Sequence, residues 1–284
     1  MKRVFLLIFL LLLLPQKVSA EPKDFFGRNI KLPKNINRIV SLSPATTEIL
    51  FSLGLESKIV GVTNDCNYPK QALGKAKTGK FGFINFEKVV SLKPDIIFAT
   101  ADMNKQLSLL EKYKSPLIAV KTTNINSIYQ NIIDIGKITN SEKKALQIKK
   151  DFDSELKKIM SNSKLIIKKS IFYCIWHDPI ITAGNGSFIN DIINIIGAEN
   201  IAKEINNPFA KYNTESLIAR NPDYIFIPTT TYNKINFGSL PWNKLKAVKN
   251  KKVYSVNDDI YLRPAPRIII AIKEMQKIIS INQK

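Results

Sequence analysis

The sequence is poor in the residues that build metal, redox and nucleophilic sites. It has two cysteines and one histidine in 284 residues. Two cysteines are too few for a disulfide-stapled scaffold, and one histidine argues against a zinc or manganese receptor, which needs several imidazole and carboxylate ligands. Neither a Gly-x-Ser-x-Gly elbow nor a His-Glu-x-x-His motif is present. The composition therefore gives no positive signal for an enzyme.

The chain has only one long hydrophobic run, at its N-terminus. Met1-Lys2-Arg3 precedes the apolar run Val4 to Leu14, which is shorter than the roughly 20 residues of a membrane span. Small residues then precede Glu21, as in a secretory signal peptide, which we assign to residues 1–20 with cleavage after Ala20. A lipid anchor would need a cysteine next to the cleavage site, and the sequence has none there. We expect a mature protein that is soluble in the periplasm and not membrane-embedded.

Negative charge is scarce. The chain has 43 Lys and Arg against 23 Asp and Glu, a net charge of +20. The lysines are scattered among Ile and Asn without a basic arm, which is typical of a solvated surface. Export argues against DNA or RNA as a partner, whereas attraction to an anionic membrane surface or ligand stays open.

Segments typical of strands and of helices alternate along the chain. This alternation predicts an α/β fold of two similar Rossmann-like lobes with mainly parallel sheets. A thin apolar stripe with helical spacing, flanked by charged residues, predicts one long helix at 141–164 that lies across both bodies. We therefore divide the chain into an N-terminal lobe at 36–140, the connecting helix at 141–164 and a C-terminal lobe at 165–284.

An internal repeat supports this division. Residues 85–98 align with residues 213–226 at an offset of 128, with six identities in 14 positions, and Phe81 and Phe209 match at the same offset. Two lobes create a cleft, and clefts between lobes bind small ligands. Cys66 and Cys174 fall in different lobes, so we expect no disulfide between them. As the nucleophile of an exported hydrolase, Cys66 would need a base nearby, which the sequence does not provide.

Several motifs carry a resemblance to a known family. They are RIVSLSPATTE at 38–48, the segment 61–69, the repeat at 85–98, the region 242–254 and RPAPR at 263–267. In these the chain resembles the helical-backbone (class III) periplasmic substrate-binding proteins of ABC importers, and within them the vitamin B12-binding proteins.

The resemblance implies a carrier without catalytic activity or a cofactor of its own. It implies a corrinoid such as cobalamin as the transported ligand, with haem or a ferric siderophore as the alternative on the same fold. The partner would be an ABC permease dimer with its ATPase subunits, and the carrier itself would be a monomer. An exported hydrolase is the remaining alternative.

The resemblance also implies ligand-binding residues. Phe81 and Phe209 correspond to aromatic residues that face the ligand across the cleft, although core packing is the alternative for each. Asp259 and Arg263 correspond to polar residues near the ligand's side chains. Trp176-His177 is a further candidate pair, because cobalt and haem iron both accept imidazole as an axial ligand. A locally hydrogen-bonded histidine is the alternative, and no resident metal is expected.

Two carboxylates receive a different role from the resemblance. Glu87 and Glu215 correspond to the acidic residue with which each lobe docks on arginines of the two permease subunits. The repeat places them at equivalent points of the lobes, which suits a two-fold symmetric partner. Their alternative role is that of ordinary first-turn carboxylates favoured by the helix dipole. Arg267 and Trp242 are expected to be structural.

Overall fold

The computed structural model describes residues 29–110, 113, 115–162 and 168–281. The predicted signal peptide, residues 1–20, lies outside this part of the chain. The described residues form two α/β lobes, each built on its own sheet, and one long helix connects them. No helix within these ranges is long and apolar enough to cross a bilayer.

The N-terminal lobe is built on a sheet of five parallel strands. The strands of the whole lobe, in this sheet and in a separate hairpin, are β1 (Ile39–Ser41), β2 (Ile59–Val62), β3 (Ala76–Lys77), β4 (Gly79–Lys80), β5 (Phe83–Ile84), β6 (Ile96–Thr100) and β7 (Leu117–Val120). Its helices are α1 (Pro44–Ser52), α2 (Phe86–Ser91), α3 (Asn104–Leu110) and α4 (Ile125–Ile138). The sheet order is β3-β2-β1-β6-β7, and β4 and β5 form a separate antiparallel hairpin. Parallel neighbours need crossover connections, which gives the Rossmann-like arrangement that the sequence predicts.

The connecting helix α5 (Glu142–Asn162) covers most of the predicted range 141–164. Residues 163–167 lie outside the described part, and the lobe boundaries stay predictions. The ring of Phe152 stacks on Tyr129 of α4, with 3.7 Å between the centroids. Farther along, the carbonyl of Ile159 accepts a hydrogen bond from Gln276 of the C-terminal lobe at 2.8 Å. The apolar stripe of α5 therefore packs on both lobes and limits their relative movement.

The C-terminal lobe has a mixed sheet. Its strands are β8 (Ser170–His177), β9 (Ile180–Ala183), β10 (Glu199–Asn200), β11 (Phe209–Lys211), β12 (Tyr224–Pro228) and β13 (Val253–Val256). Its helices are α6 (Phe188–Ile195), α7 (Thr214–Arg220), α8 (Thr229–Tyr232), α9 (Lys246–Lys249), α10 (Asp258–Tyr261) and α11 (Ile268–Ile281). The strands β10, β12 and β13 run parallel to β8 or to one another, whereas β9 and β11 are antiparallel additions at one edge.

The repeat is visible in the structure as one hydrogen-bonding pattern used twice. The strands β6 and β12 begin 128 residues apart, and each follows a Pro-Asp pair. The Asp95 carboxylate accepts the backbone N–H groups of Asn37 and Arg38, at 2.8 and 2.9 Å, just before β1. The Asp223 carboxylate accepts the N–H of Ser170 at 2.8 Å, at the start of β8. The same dipeptide thus fixes the first strand of each sheet beside its neighbour.

Candidate ligand-binding site between the lobes

A cavity of about 380 Å³ lies where the two lobes meet. The N-terminal lobe contributes the ends of β1 and β6, the start of α1 and the β4–β5 hairpin, and the C-terminal lobe contributes the segment before α11. Its lining residues are Ser43, Pro44, Ala45, Asp65, Phe81, Thr100, Asp102, Leu262, Arg263 and Pro264. Ligands of open parallel sheets bind outside the carboxyl ends of the strands, which is where this cavity lies.

The β4–β5 hairpin presents Phe81 to this cavity. Gly79 and Gly82 both have positive φ angles, 102° and 79°, and a Cβ at Gly79 would collide with the carbonyl oxygen of Phe83. The backbone N–H of Phe81 donates to Asp65 Oδ2 at 2.6 Å, which holds the hairpin against the loop that follows β2. The Phe81 side chain stays 41% exposed. Its ring is therefore available to a ligand and is not core packing.

Arg263 lines the cavity and ties the lobes together. Its guanidinium contacts Asp259 of its own lobe at 2.5 Å and donates to Asn67 Oδ1 of the other lobe at 2.6 Å. A third hydrogen bond, at 3.2 Å, goes to the carbonyl of Asp65. Asp259 in turn accepts a hydrogen bond from Asn67 Nδ2 at 2.8 Å. The structure thus brings Asp259 and Arg263 together at the lobe boundary, with Arg263 in the cavity wall beside Phe81.

A buried carboxylate lies behind this wall. Glu48 of α1 has a side chain only 2% exposed, and it accepts two hydrogen bonds from Arg267, at 2.8 and 2.6 Å, and a longer one from Arg263, at 3.4 Å. The Arg267 guanidinium also lies 3.6 Å from the ring centroid of Tyr68. Desolvation lowers the pKa of Arg267, but the hydrogen bond and charge of Glu48, together with Tyr68 and Asp259, raise it, and the net shift is upward. Arg267 bonds this buried carboxylate and is not part of the cavity lining, and its structural role stays a prediction.

A carboxylate of the second lobe, that of Asp191, forms a hydrogen bond with the first lobe. Asp191 of α6 accepts the backbone N–H of Ile125, at the start of α4, at 2.9 Å. Glu48 and Asp191 each contact the start of the other lobe's last helix. Desolvation raises the pKa of Asp191, and the hydrogen bond from Ile125 opposes this shift. The lobes are therefore joined crosswise as well as through α5.

Phe209, Trp176 and His177 are not among the residues that line this cavity. Phe209 begins β11, is 48% exposed and packs its ring edge-on against Phe188, with the centroids 6.4 Å apart. Trp176 and His177 are the last two residues of β8, at the tip of the β8–β9 hairpin. His177 lines a second cavity of about 620 Å³ in the C-terminal lobe, and Lys234 Nζ lies 4.2 Å from the Trp176 ring centroid.

The two proposed docking carboxylates occupy equivalent places on equivalent helices. Glu87 lies in the first turn of α2 and Glu215 in the first turn of α7, and both are exposed. Asn85 and Asn213 cap the two helices by accepting the N–H of Lys88 and of Ser216, each at 2.9 Å. Within the described ranges neither glutamate has a salt bridge. The identical caps explain why the repeat places both carboxylates at a helix start.

Sequence reasoning missed two polar residues of the cavity wall. Thr100 ends β6, is 7% exposed and has a hydroxyl without a hydrogen-bond partner among the described residues. Asp102 follows it and is exposed, again without an ion pair in that part of the chain. Both residues lie at the carboxyl end of a buried parallel strand, where ligand-binding residues gather. This position is the signal by which the sequence could have indicated them.

Both cysteines are buried and free, one in each lobe. The thiol of Cys66 lies 3.1 Å from the hydroxyls of Thr47 and of Thr63. Burial raises the pKa of this thiol, and these hydrogen bonds only partly oppose the shift. Burial raises the pKa of Cys174 to about 12. Neither thiol has the lowered pKa or the exposure of a reactive cysteine.

The two lobes, the connecting helix and the open cavity between them define a two-lobed ligand-binding protein. A family model described as "Periplasmic binding protein" matches residues 39–260, and the chain therefore belongs to the periplasmic binding protein family. The members of this family are substrate-binding proteins of transport systems, and the family is not one of enzymes. The predicted family and fold class are confirmed.

Three relatives show how broad the similarity is. An uncharacterized ABC transporter substrate-binding lipoprotein of Bacillus subtilis, YvrC, is 34% identical over 92% of this chain and 86% of its own length. The crystal structure of the periplasmic vitamin B12-binding protein BtuF of Vibrio cholerae superposes on this chain with a TM-score of 0.77 and 27% sequence identity. The match includes 89% of this chain and 100% of the BtuF chain. The structure of a possible iron-binding (periplasmic solute-binding) protein from Staphylococcus epidermidis covers 87% and 99%, with 29% identity and a TM-score of 0.76.

Proposed function

We propose that this protein captures a corrinoid such as cobalamin in the cavity between its lobes and delivers it to an ABC importer. The observation that carries the proposal is the cavity itself, which both lobes build and in which the exposed ring of Phe81 lies beside Arg263. An aromatic face suits a large flat macrocycle, because it buries much apolar area and loses little side-chain entropy. The similarity to the vitamin B12-binding protein of Vibrio cholerae supports this ligand.

The protein acts as a carrier without catalysis. The only candidate nucleophile that the sequence offered, Cys66, has a buried thiol whose pKa is raised. The single histidine, His177, lies on a hairpin of the other lobe and lines the second cavity. A cysteine hydrolase would need these two groups in contact. The described residues contain no group of His, Cys, Asp and Glu that could hold a metal ion.

The second candidate ligand is a ferric siderophore or haem, carried on the same fold. The similarity to the possible iron-binding protein of Staphylococcus epidermidis favours an iron chelate. For haem, His177 is the imidazole that would serve as an axial ligand, but it lies at the tip of the β8–β9 hairpin and not in the wall that contains Phe81. We therefore place the corrinoid first.

The partner is a permease dimer with its ATPase subunits, and the protein meets it as a monomer in the periplasm. Glu87 and Glu215 dock on arginines of the two permease subunits. Their exposure and their equivalent helix starts support this role, because a carrier built twice offers matching charges to a two-fold partner. The charge pairs would set the orientation of the complex more than its affinity.

Isothermal titration calorimetry of residues 21–284 with cyanocobalamin, haem and a panel of ferric siderophores tests the ligand. Phe81→Ala should weaken binding by about 10- to 100-fold, since burying one such ring contributes about 1.5–3 kcal/mol. Phe83→Ala is the matched control, because Phe83 lies in the same hairpin, is 77% exposed and is not part of the cavity lining. If only an iron chelate binds, the corrinoid proposal is wrong while the carrier role stands.

Docking is tested separately with the importer in nanodiscs. The double variant Glu87→Ala and Glu215→Ala should keep the ligand affinity of the wild type but associate more weakly with the importer. Glu142→Ala is the control, because Glu142 is also an exposed first-turn glutamate but lies on α5. Unchanged association of the double variant would remove the docking role.

A further inference from the structure

We infer that the cavity between the lobes selects an uncharged or cationic ligand that is rich in hydrogen-bond donors, and that it discriminates against ligands with free carboxylates. The inference rests on the proposed function and narrows its ligand class. It follows from three features of the wall: the compensated charge of its arginine, its unused acceptors and the start of α1.

The positive charge of Arg263 is already compensated. It is the only cationic side chain among the described residues that line the cavity. Its guanidinium contacts the Asp259 carboxylate at 2.5 Å and lies 3.4 Å from that of Glu48. An incoming carboxylate would have to displace these partners. The Glu48 side chain is only 2% exposed, so an anion that drew Arg263 away from it would leave a buried charge less compensated, and Arg263 is a poor receptor for an anion.

The wall and the cluster behind it carry an excess of negative charge. The wall holds the carboxylates of Asp65 and Asp102, and the cluster adds those of Glu48 and Asp259. Among the described residues, the guanidinium groups of Arg263 and Arg267 pair with the Glu48 and Asp259 carboxylates, whereas Asp65 and Asp102 have no ion pair. The cavity is therefore locally acidic in a chain whose net charge is +20. The basic surface can attract an anion over a distance, but the site itself repels one.

The wall also offers acceptors that the protein does not use. Asp65 Oδ2 accepts the N–H of Phe81, and the other oxygen of this carboxylate has no hydrogen-bond partner among the described residues. Asp102 is exposed and has no ion pair within the described ranges. The Thr100 hydroxyl is buried at the same wall without a partner among the described residues. A buried polar group without a partner costs stability unless a ligand or water satisfies it. These groups suit N–H and O–H donors of a ligand.

The start of α1 does not reverse this preference. A helix start normally attracts anions through its free N–H groups. Here Pro44 has no N–H to donate, and the side chain of Ser43 accepts the N–H of Thr46 at 3.1 Å. The helix start is thus largely satisfied by its own cap. Primary amides on the edge of a macrocycle, as in corrinoids, match this wall, whereas the two propionates of haem do not.

Matched ligand pairs test the inference without depending on one ligand. One pair is haem and its dimethyl ester, which share a ring and differ in two carboxylates. The other is cationic ferrioxamine B and its anionic N-succinyl derivative, and cyanocobalamin is measured beside them. Affinities are measured by fluorescence titration of residues 21–284. In each pair that binds, we expect the ligand without free carboxylates to bind about 10-fold more tightly than its partner.

The measured quantity is the ratio of the affinity of the member without carboxylates to that of the member with them. The variant Asp102→Lys should lower this ratio by about 10-fold, and Asp102→Asn should lower it by less. The control is Asp151→Lys, because Asp151 is exposed on α5, away from the cavity. A ratio that favours the carboxylate, or one that Asp102→Lys leaves unchanged, would overturn the inference while the carrier role stands. If no probe, cyanocobalamin included, binds the wild type, the proposed function fails and the inference fails with it.

Discussion

The variant Glu48→Gln tests whether the buried charge cluster holds the lobes together. The Glu48 side chain is 2% exposed, and those of its partners Arg263 and Arg267 are 14% and 18% exposed. Removing one partner of a buried ion pair typically costs about 3–5 kcal/mol, because the remaining charge stays buried without compensation. Arg263 keeps its ion pair with Asp259, whereas Arg267 keeps the ring of Tyr68 and the more distant charge of Asp259. We therefore expect the free energy of unfolding to fall by about 3 kcal/mol, the lower end of this range.

Urea denaturation followed by circular dichroism measures this loss. One of the apolar clusters contains residues of both lobes and of α5, which couples the lobes, so a single transition is expected. The loss should persist in about 0.5 M salt, because screening acts weakly on buried pairs. Glu56→Gln is the control, since Glu56 is exposed. A loss below about 1 kcal/mol, or one equal to that of the control, would refute the view that this cluster contributes strongly to stability.

Three further predictions follow from ionisable groups elsewhere. Desolvation raises the pKa of Asp191, so its ionisation costs stability as the pH rises through that value; Asp191→Asn should therefore stabilise the protein more at about pH 7 than at about pH 3.5 in paired thermal melts. Hydrogen bonds from Lys158 and Lys273 lower the pKa of Glu155 to about 2; Lys273→Ala should raise it, as an NMR titration of the carboxyl carbon would show. Both cysteine thiols should resist Ellman's reagent in the folded protein and react fully after denaturation, whereas a disulfide would leave none to react.

The repeated units of the fold were predictable because their signals are local. The strand, helix and turn that contain Glu87 and Glu215 depend on an Asn cap, a short apolar stripe and a Pro-Asp pair, all within 14 residues. These features act on neighbouring backbone groups, so they appear in the sequence in the same order in both lobes. The alternation of strands and helices predicted the layered arrangement for the same reason.

The short antiparallel strands could not be predicted in this way. The strands β4 and β5 have two residues each, and β11 has three. Their pairing depends on neighbours in space, such as the contact of Phe209 with Ala183, more than on their own composition. The consequence for the site is direct, because β4 and β5 carry Phe81 and the pairing of β8 with β9 places Trp176 and His177 at a hairpin tip.

The chemistry of the cavity was only partly predictable for a similar reason. The resemblance singled out Phe81 and Arg263, and the structure places both in one wall. The partner that compensates Arg263 from behind, Glu48, lies 215 residues away in the chain. No local pattern reports such a pair, and the position of Asp65 and Asp102 in the same wall as the compensated Arg263 is visible only once the lobes are assembled.

The crosswise contacts also bear on how the cavity receives its ligand. Glu48 of the first lobe contacts Arg267 at the start of α11, and Asp191 of the second lobe contacts the N–H of Ile125 at the start of α4. Separating the lobes would expose a carboxylate and two guanidinium groups that now compensate one another, while α5 keeps its contacts with both bodies. Large opening is therefore costly, which favours a cavity whose shape changes little when a ligand binds. A preformed cavity discriminates by the charge and shape of its wall more than by closure, which is why the unused acceptors of Asp102 and Thr100 weigh so heavily in the choice of ligand.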